Sequence, residues 1–160
     1  MNELLNKESV KRVQEFIKQF DPNLKILVLD TTARTAEDAA NSLKCELGAI
    51  VKSLVFRAES DFLICLVAGD KRCSLNKLKK ILDKKDVSMA SADEVKVNTG
   101  FSIGGVAPVG HLKKLNILID KSLSRFKYIY GAAGHPDCVF KITYSELIKL
   151  TNGLEKEIIK

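Results

Sequence analysis

The N-terminal segment carries apolar residues at helical spacing, with charged residues between them. Residues three and four positions apart lie on one face of a helix, so the pattern predicts an amphipathic first helix. Ser9 is its predicted N-cap, and residues 21–23, which include a proline, end it. The apolar positions are Val10, Val13, Phe16, Ile17 and Phe20.

Two runs rich in β-branched and large apolar residues follow at 50–57 and 62–68. A polar segment of four residues separates them, which predicts a β-hairpin with a short loop. Shorter apolar runs predict further strands. These runs lie at 25–30, 87–90, 115–120, 128–131 and 139–142.

Polar residues that suit helix N-caps precede four other segments. They are Thr35, Ser74, Ser91 and Thr143. Glu94 and Glu146 follow the last two caps at the third position, which is the pattern of a capping box. We therefore expect four more helices, and we expect the residues after Asn152 and Gly153 to be frayed or weakly docked.

These elements predict an α+β fold, with a hairpin and interspersed helices on a largely antiparallel or mixed sheet. The 160 residues suit one domain, spanning 1–160. The longest uncharged apolar stretch, at 62–69, is too short to span a membrane. The N-terminus carries acidic residues and lacks the apolar region of a secretory signal, so we expect a cytoplasmic protein with no membrane partner.

Positive charge is concentrated between residues 71 and 85. This segment has seven Lys or Arg residues and one Asp, whereas the rest of the chain has no net charge. A clustered charge of this sign indicates a polyanion as partner, although a solvated helix face explains it equally well. Lys77, Lys80 and Lys84 share the outer side of the helix expected after Ser74.

Lys52 is the first candidate for chemistry. Strand alternation places it on the same face as Ile50, Leu54 and Phe56, so whichever face is buried, this lysine lies among large apolar side chains. Partial desolvation lowers the pKa of a lysine and strengthens its attraction for an anion or an ester oxygen. The alternative is a side chain that extends to water.

The second candidate is a loop at 100–111 with four glycines and Pro108. Glycine allows the backbone to approach a ligand and to aim N–H groups at it. The loop lacks the Gly-Lys-Ser/Thr of a P-loop and the GxGxxG order of a dinucleotide site. The alternative is a loop with a purely structural role. The small residues at 131–136 predict a turn, which could likewise approach a ligand through its backbone or only reverse the chain.

Other catalytic signatures are absent from the sequence. The four cysteines have no CxxC spacing, and the two histidines are too far apart for a zinc signature, so we expect reduced thiols, no metal and no cofactor. Asp120, at a strand end, could line a cleft or cap a loop. With no Ser/His/Asp set and no paired acids, an enzyme of this sequence would work mainly by positioning its substrate.

Together these segments resemble the YbaK/prolyl-tRNA synthetase-associated family, the free-standing relatives of the editing domain of bacterial prolyl-tRNA synthetase. The similarity covers about residues 9–155, and its most specific part is the strand at 50–56 combined with the loop at 99–111. The other matching pieces are 35–40, 67–70, 118–120 and 132–134.

The resemblance implies a central barrel-like mixed sheet surrounded by helices. It also implies an aminoacyl-tRNA deacylase, a hydrolase that removes a small amino acid (Ala, Ser, Thr or Cys) from mischarged tRNA, most naturally tRNA(Pro), for translation fidelity. Lys52 would hold the terminal ribose–phosphate. Backbone N–H groups of the segment formed by Gly104, Gly105, Val106, Ala107 and Pro108 would stabilise the oxyanion.

The resemblance also implies contacts around this centre and defines the partners. Its substrate-binding residues would be Ser53, Gly110, His111, Asp120, Gly134 and His135, with Lys77, Lys80 and Lys84 on the tRNA backbone. The partners would be the aminoacylated end of tRNA and an aminoacyl-tRNA synthetase. Two other functions stay open, namely a non-catalytic module that binds tRNA or a synthetase, and a hydrolase of another small ester.

Overall fold

The computed structural model describes residues 3–30 and 35–160. The five α-helices in these ranges are α1 (Glu8–Phe20), α2 (Ala36–Leu43), α3 (Leu75–Leu82), α4 (Ala92–Thr99) and α5 (Tyr144–Thr151). The strands are β1 (Ile26–Val28), β2 (Val51–Ala58), β3 (Asp61–Ala68), β4 (Val87–Met89), β5 (Asn116–Asp120), β6 (Ile129–His135), β7 (Cys138–Ile142) and β8 (Leu154–Lys156). Short 3-10 helices occupy Glu3–Asn6, Leu47–Ala49 and Lys121–Arg125. None of the helices described is long and apolar enough to cross a membrane.

The strands form two sheets. The larger has the order β4-β2-β3-β5-β8 and mixes antiparallel with parallel pairs, while the smaller has the antiparallel order β1-β7-β6. The mixed α/β class is as predicted, but within the described residues the strands do not close into a barrel. The reason is that, in the described ranges, the sheets meet through one bridge, Ile50 to Tyr130, and no continuous ladder joins them.

The larger sheet is covered on both faces. Val51 and Val55 of β2 point into the main core, which also contains α1. Leu54 and Phe56 point to the opposite face, where Leu78 of α3 covers them. The predicted alternation along β2 is therefore confirmed, and Lys52 lies on the α3 side of the sheet.

Helix starts follow the predicted caps with one exception. The side chains of Thr35 and Ser74 each accept a hydrogen bond from the third residue of their helix, and Ser91 and Thr143 form complete capping boxes. The predicted cap at Ser9 is wrong, because α1 already begins at Glu8. The Ser9 hydroxyl instead donates to the carbonyl oxygen of Gly134 at 2.9 Å, which ties α1 to β6.

The C-terminal residues are not frayed. Strand β8 pairs in parallel with β5, and beyond it Ile158 is fully buried. The Ile158 N–H donates to an Asp120 carboxylate oxygen at 2.8 Å, and its carbonyl oxygen accepts from the Ser74 N–H at 2.7 Å. These are contacts between residues far apart in sequence, so local composition did not reveal them.

Strand β6 is longer than predicted. The small residues at 131–136 predict a turn after the strand, yet β6 continues through an irregularity to His135. Small residues are needed here because α1 packs against the strand. A Cβ atom on Gly134 would lie 2.6 Å from the carbonyl oxygen of Ser9.

Candidate functional site

A cavity of about 240 Å³, here called the first cavity, opens between the two sheets. Strand β2 forms one wall, while β6, β7 and α2 form the other. The loop after α4 contributes Ile103, Gly104 and Val106. Most of the wall is aliphatic, and the polar side chains on it are Thr35, Lys52, Ser53 and Tyr130.

The structure thus brings together the two sequence features that were singled out separately. Lys52, the second residue of β2, and Gly104 and Val106, from the glycine-rich loop, border one cavity. The ammonium group of Lys52 donates to the carbonyl oxygen of Lys71. Because an ammonium group has three N–H donors, two remain for a ligand.

Burial is the main cause that lowers the pKa of Lys52, as expected for a lysine on an apolar face. The positive charge of Arg72 lowers this pKa further, and Asp70 opposes the shift. Asp70 is itself engaged by Arg125, whose guanidinium contacts both carboxylate oxygens at 2.7 and 3.0 Å. Lys52 therefore lies in an environment that favours an incoming anion.

Ser53 contributes a polar atom that the fold leaves unused. Its hydroxyl oxygen is buried and has no hydrogen-bond partner among the described residues. A buried hydroxyl without a partner costs about 1–3 kcal/mol. Because Ser53 borders the first cavity, a ligand there can supply the missing hydrogen bond.

Close packing against β6 fixes the glycine-rich loop. A Cβ atom on Gly105 would lie 3.0 Å from the backbone of His135, and Gly104 has φ of +94°. The Gly105 N–H donates to the carbonyl oxygen of Ser102 at 3.0 Å. The N–H groups of Gly104, Val106 and Ala107 have no acceptor within the part of the chain that the structure describes.

The end of the loop is anchored rather than open. Arg12 of α1 donates to the carbonyl oxygen of Gly110 at 2.7 Å, and its guanidinium lies 4.5 Å from the centre of the Phe101 ring. His111 Nε2 lies 2.7 Å from the carbonyl oxygen of Ala107, where it can only act as a donor. Burial lowers the pKa of His111, which favours the neutral ring that this bond accommodates.

Several residues expected at the substrate do not border the first cavity: Gly105, Ala107, Pro108, Gly110, His111, Asp120, Gly134 and His135. Asp120 is almost fully buried, and its two carboxylate oxygens accept N–H bonds from Ser122 and Ile158. It caps a loop, which was the alternative interpretation of this residue. Gly134 packs against the backbone of α1. His135 Nδ1 accepts a hydrogen bond from the Asp137 N–H at 3.1 Å.

Other lining residues were not among the sequence-based candidates. Thr35, Ala36 and Ala39 come from α2, and Met89 and Tyr130 come from the larger and the smaller sheet. The sequence marks the segment at 35–40 as a matching piece of the family and Thr35 as a helix N-cap. Its pattern resembles that of any capped helix, so it gave no independent signal of a site.

The basic segment is less regular than predicted. Helix α3 ends at Leu82, so Lys84 lies beyond it and 3.7 Å from the Glu59 carboxylate. Lys77 donates to the carbonyl oxygen of Ile159 at 2.7 Å, and Lys80 is exposed. Within residues 3–30 and 35–160, no group of three or more His, Cys, Asp or Glu side chains could hold a metal ion.

Comparison with known proteins adds independent information. A family model described as the aminoacyl-tRNA editing domain matches residues 30–150. YwhH of Bacillus subtilis, an uncharacterised protein, is 34% identical over 140 residues, covering 87% of this chain and 88% of YwhH. EbsC of Enterococcus faecalis, described as a candidate Cys-tRNA(Pro)/Cys-tRNA(Cys) deacylase, is 28% identical over 125 residues, 78% of this chain and 76% of EbsC.

Larger proteins and solved structures match as well. The proline–tRNA ligase of Kosmotoga olearia is 37% identical over 94 residues, which are 59% of this chain but only 16% of the ligase. The crystal structure of a candidate trans-editing enzyme for prolyl tRNA synthetase superposes with a TM-score of 0.91 and 35% identity. That superposition covers 96% of this chain and 98% of the other.

Proposed function

The chain belongs to the aminoacyl-tRNA editing domain family, and from this premise we propose that it is a deacylase acting in trans on tRNA(Pro) charged with a small amino acid. The observation that carries the proposal is the first cavity, where Lys52 and the loop at Gly104 and Val106 meet. The names of EbsC and of the similar crystal structure support the prolyl assignment.

The walls of the first cavity suit the aminoacyl group of this substrate. Ala36, Ala39 and Val139 leave room for a small side chain and offer it no charge. The Ser53 hydroxyl would bind a polar atom of the ester or the ribose. Selection among Ala, Ser, Thr and Cys would then rest on small changes in this wall, since one methylene is worth only about 1–3 kcal/mol.

Lys52 and the loop would share the work of catalysis. The Lys52 ammonium would hold the ribose–phosphate of the terminal adenosine and orient the ester. The oxyanion that forms when water attacks the ester carbonyl would be bound by the free N–H groups of Gly104 and Val106, both at the cavity wall. The Gly105 N–H is already bonded to Ser102, so we omit it from the oxyanion site. Loss of one such donor costs other enzymes about 3–4 kcal/mol of barrier.

In this proposal the substrate itself activates the attacking water. No Asp, Glu or His side chain borders the first cavity among the described residues. A ribose hydroxyl next to the ester would act on the water, and the protein would supply orientation and electrostatic stabilisation.

The test is a deacylation panel with purified protein and tRNA(Pro) carrying Ala, Ser, Thr, Cys or Pro. We expect release of a small non-cognate amino acid. Lys52→Ala should lose at least about a hundredfold in kcat/KM, with circular dichroism and unfolding midpoint close to wild type. Lys149→Ala, which removes an exposed lysine of α5 away from the cavity, is the matched control.

Three outcomes would contradict the proposal. Full activity of Lys52→Ala would exclude Lys52 from the mechanism. Equal binding of charged and uncharged tRNA, with no turnover of any aminoacyl-tRNA, would instead indicate a non-catalytic module that binds tRNA or a synthetase. Turnover of small esters alone would indicate a different hydrolase.

A further inference from the structure

A second cavity of about 520 Å³ adjoins the first. The two share Lys52, Leu54 and Met89, so they are neighbouring spaces on either side of one lysine. The second cavity lies between the larger sheet and the start of α3. Its other lining residues are Phe56, Arg72, Cys73, Ser74, Leu75, Asn76 and Lys160.

The charged side chains that line the second cavity are all positive. Lys52, Arg72 and Lys160 line it, and no acidic side chain does so among the described residues. The nearby carboxylate of Asp70 is paired with Arg125. The charge of Arg72 lowers the pKa of Lys52, so the two cationic side chains lie close enough to interact. An anion bound between them would be attracted by both.

Backbone hydrogen bonds fix the main chain that carries Arg72 and Lys160. The Lys160 N–H donates to the carbonyl oxygen of Arg72 at 2.9 Å, and Cys73 forms a β-bridge with Ile159. The C-terminal residues are thus hydrogen-bonded to the segment that connects β3 to α3. The fold therefore sets the backbone positions of Arg72 and Lys160, while both side chains are exposed.

The cavity also offers apolar contact. Met89 and Leu75 border it with 56% and 39% of their surfaces exposed. Large exposed apolar side chains next to cations suit a ligand that has both a flat base and a phosphate. Asn76 and Ser74 add polar groups that can bond to base edges or sugar hydroxyls.

We propose that the second cavity binds the nucleotide that precedes the terminal adenosine, with its connecting phosphate between Lys52 and Arg72. This inference rests on the proposed function, because it takes the aminoacyl-adenosine to occupy the first cavity. The single-stranded end of the tRNA would then run past Met89 and over the start of α3 towards the basic segment. Such contacts bind the backbone and give affinity with little sequence readout.

The experiment compares the terminal nucleoside with the terminal trinucleotide. Binding of adenosine and of the 5′-phosphorylated trinucleotide CCA is measured by calorimetry with wild type, Arg72→Ala, Arg72→Lys and Lys149→Ala. We expect Arg72→Ala to weaken trinucleotide binding by about five- to tenfold and to leave adenosine binding within twofold. Arg72→Lys should restore most of the loss, and Lys149→Ala should match wild type.

Kinetics give the second readout. Arg72→Ala should lower kcat/KM for the aminoacyl-tRNA(Pro) that the panel identifies, but not for the same amino acid esterified to adenosine alone. Equal effects on both ligands, or none on either, would overturn the inference while leaving the deacylase proposal intact. If wild type hydrolyses no aminoacyl-tRNA, the deacylase proposal fails, and the trinucleotide binding data still decide whether this cavity takes a nucleotide. Binding of an acidic peptide in preference to CCA would also overturn the inference that the second cavity takes a nucleotide.

Discussion

At the residue scale, one glycine sets the distance between α1 and the smaller sheet. Gly134 has φ of +88°, and a Cβ atom there would lie 2.6 Å from the carbonyl oxygen of Ser9. The Ser9 hydroxyl bonds to the Gly134 carbonyl oxygen across the same contact. The loop that contains Gly104 and Gly105 packs on the same end of β6, at His135. The position of this loop therefore depends on the distance between α1 and β6.

Replacement of Gly134 by alanine should destabilise the protein for two reasons. The left-handed backbone costs about 1–2 kcal/mol for an L-residue, and the contact with Ser9 adds to it. Gly110→Ala is the matched control, because Gly110 has φ of +79° but a Cβ atom there would have its nearest neighbour at 3.7 Å, an ordinary van der Waals distance. Urea unfolding measures both variants, and equal losses would show that the contact with Ser9 contributes nothing.

A second residue-scale prediction concerns His111. Burial lowers its pKa below the ordinary 6.5, so the unfolded state binds the proton more readily. Its contribution to stability is present above about pH 6.5 and is lost as the pH falls through the folded-state pKa. We expect the free energy of unfolding to fall between pH 7 and pH 5, and this slope to be smaller in His111→Gln. An unchanged slope in the variant would assign the pH dependence to other groups.

At the element scale, the C-terminal segment holds the connection between β3 and α3. Ile158 bonds through its backbone to Ser74, the N-cap of α3, and to Asp120 at the end of β5. Its side chain packs in the same cluster as Leu78 of α3. The segment therefore supports the wall that contains Arg72.

Truncation of Ile158 to alanine should cost about 2–5 kcal/mol, the range for large-to-small changes in a core. Leu154→Ala in β8 is the control from the same segment, since Leu154 is 61% exposed and should change stability by at most about 0.5 kcal/mol. Thermal and urea unfolding compare the two. Similar small effects would mean that the segment is docked only weakly.

At the scale of the whole molecule, net charge is unevenly distributed. The basic segment at 71–85 carries the whole excess of +6, and it borders the second cavity through Arg72. A field of this kind attracts a polyanion and weakens with salt. Lys80 is exposed, whereas Lys84 is partly compensated by Glu59.

Joint replacement of Lys77, Lys80 and Lys84 by alanine should weaken tRNA binding. It should also reduce the slope of log affinity against log salt by about 1 per lost phosphate contact. A triple variant at Lys18, Lys114 and Lys149, all exposed, removes the same charge elsewhere and should keep the wild-type slope. Filter binding from 50 to 300 mM salt would test this, and equal slopes in both triple variants would show that net charge alone matters.

Much of the fold could be predicted from the sequence where the signal is local. The caps at Thr35 and Ser74 and the boxes at Ser91 and Thr143 depend on hydrogen bonds between residues three positions apart, and all four are confirmed. The hairpin of β2 and β3 follows from two apolar runs and a short turn. Ser9 shows the limit, since its hydroxyl had a partner 125 positions away.

The sequence by itself therefore determined the helices, the hairpin, the face on which Lys52 lies and the segment that carries the charge. Only the tertiary structure decided that the strands form two sheets, that β8 docks on β5, and which loop N–H groups at the first cavity have no acceptor among the described residues. It also placed Arg72 next to Lys52. The physical reason is that periodicity and capping act between near neighbours in the chain, whereas strand pairing, cavities and charge proximity arise from residues that meet only when the chain is packed.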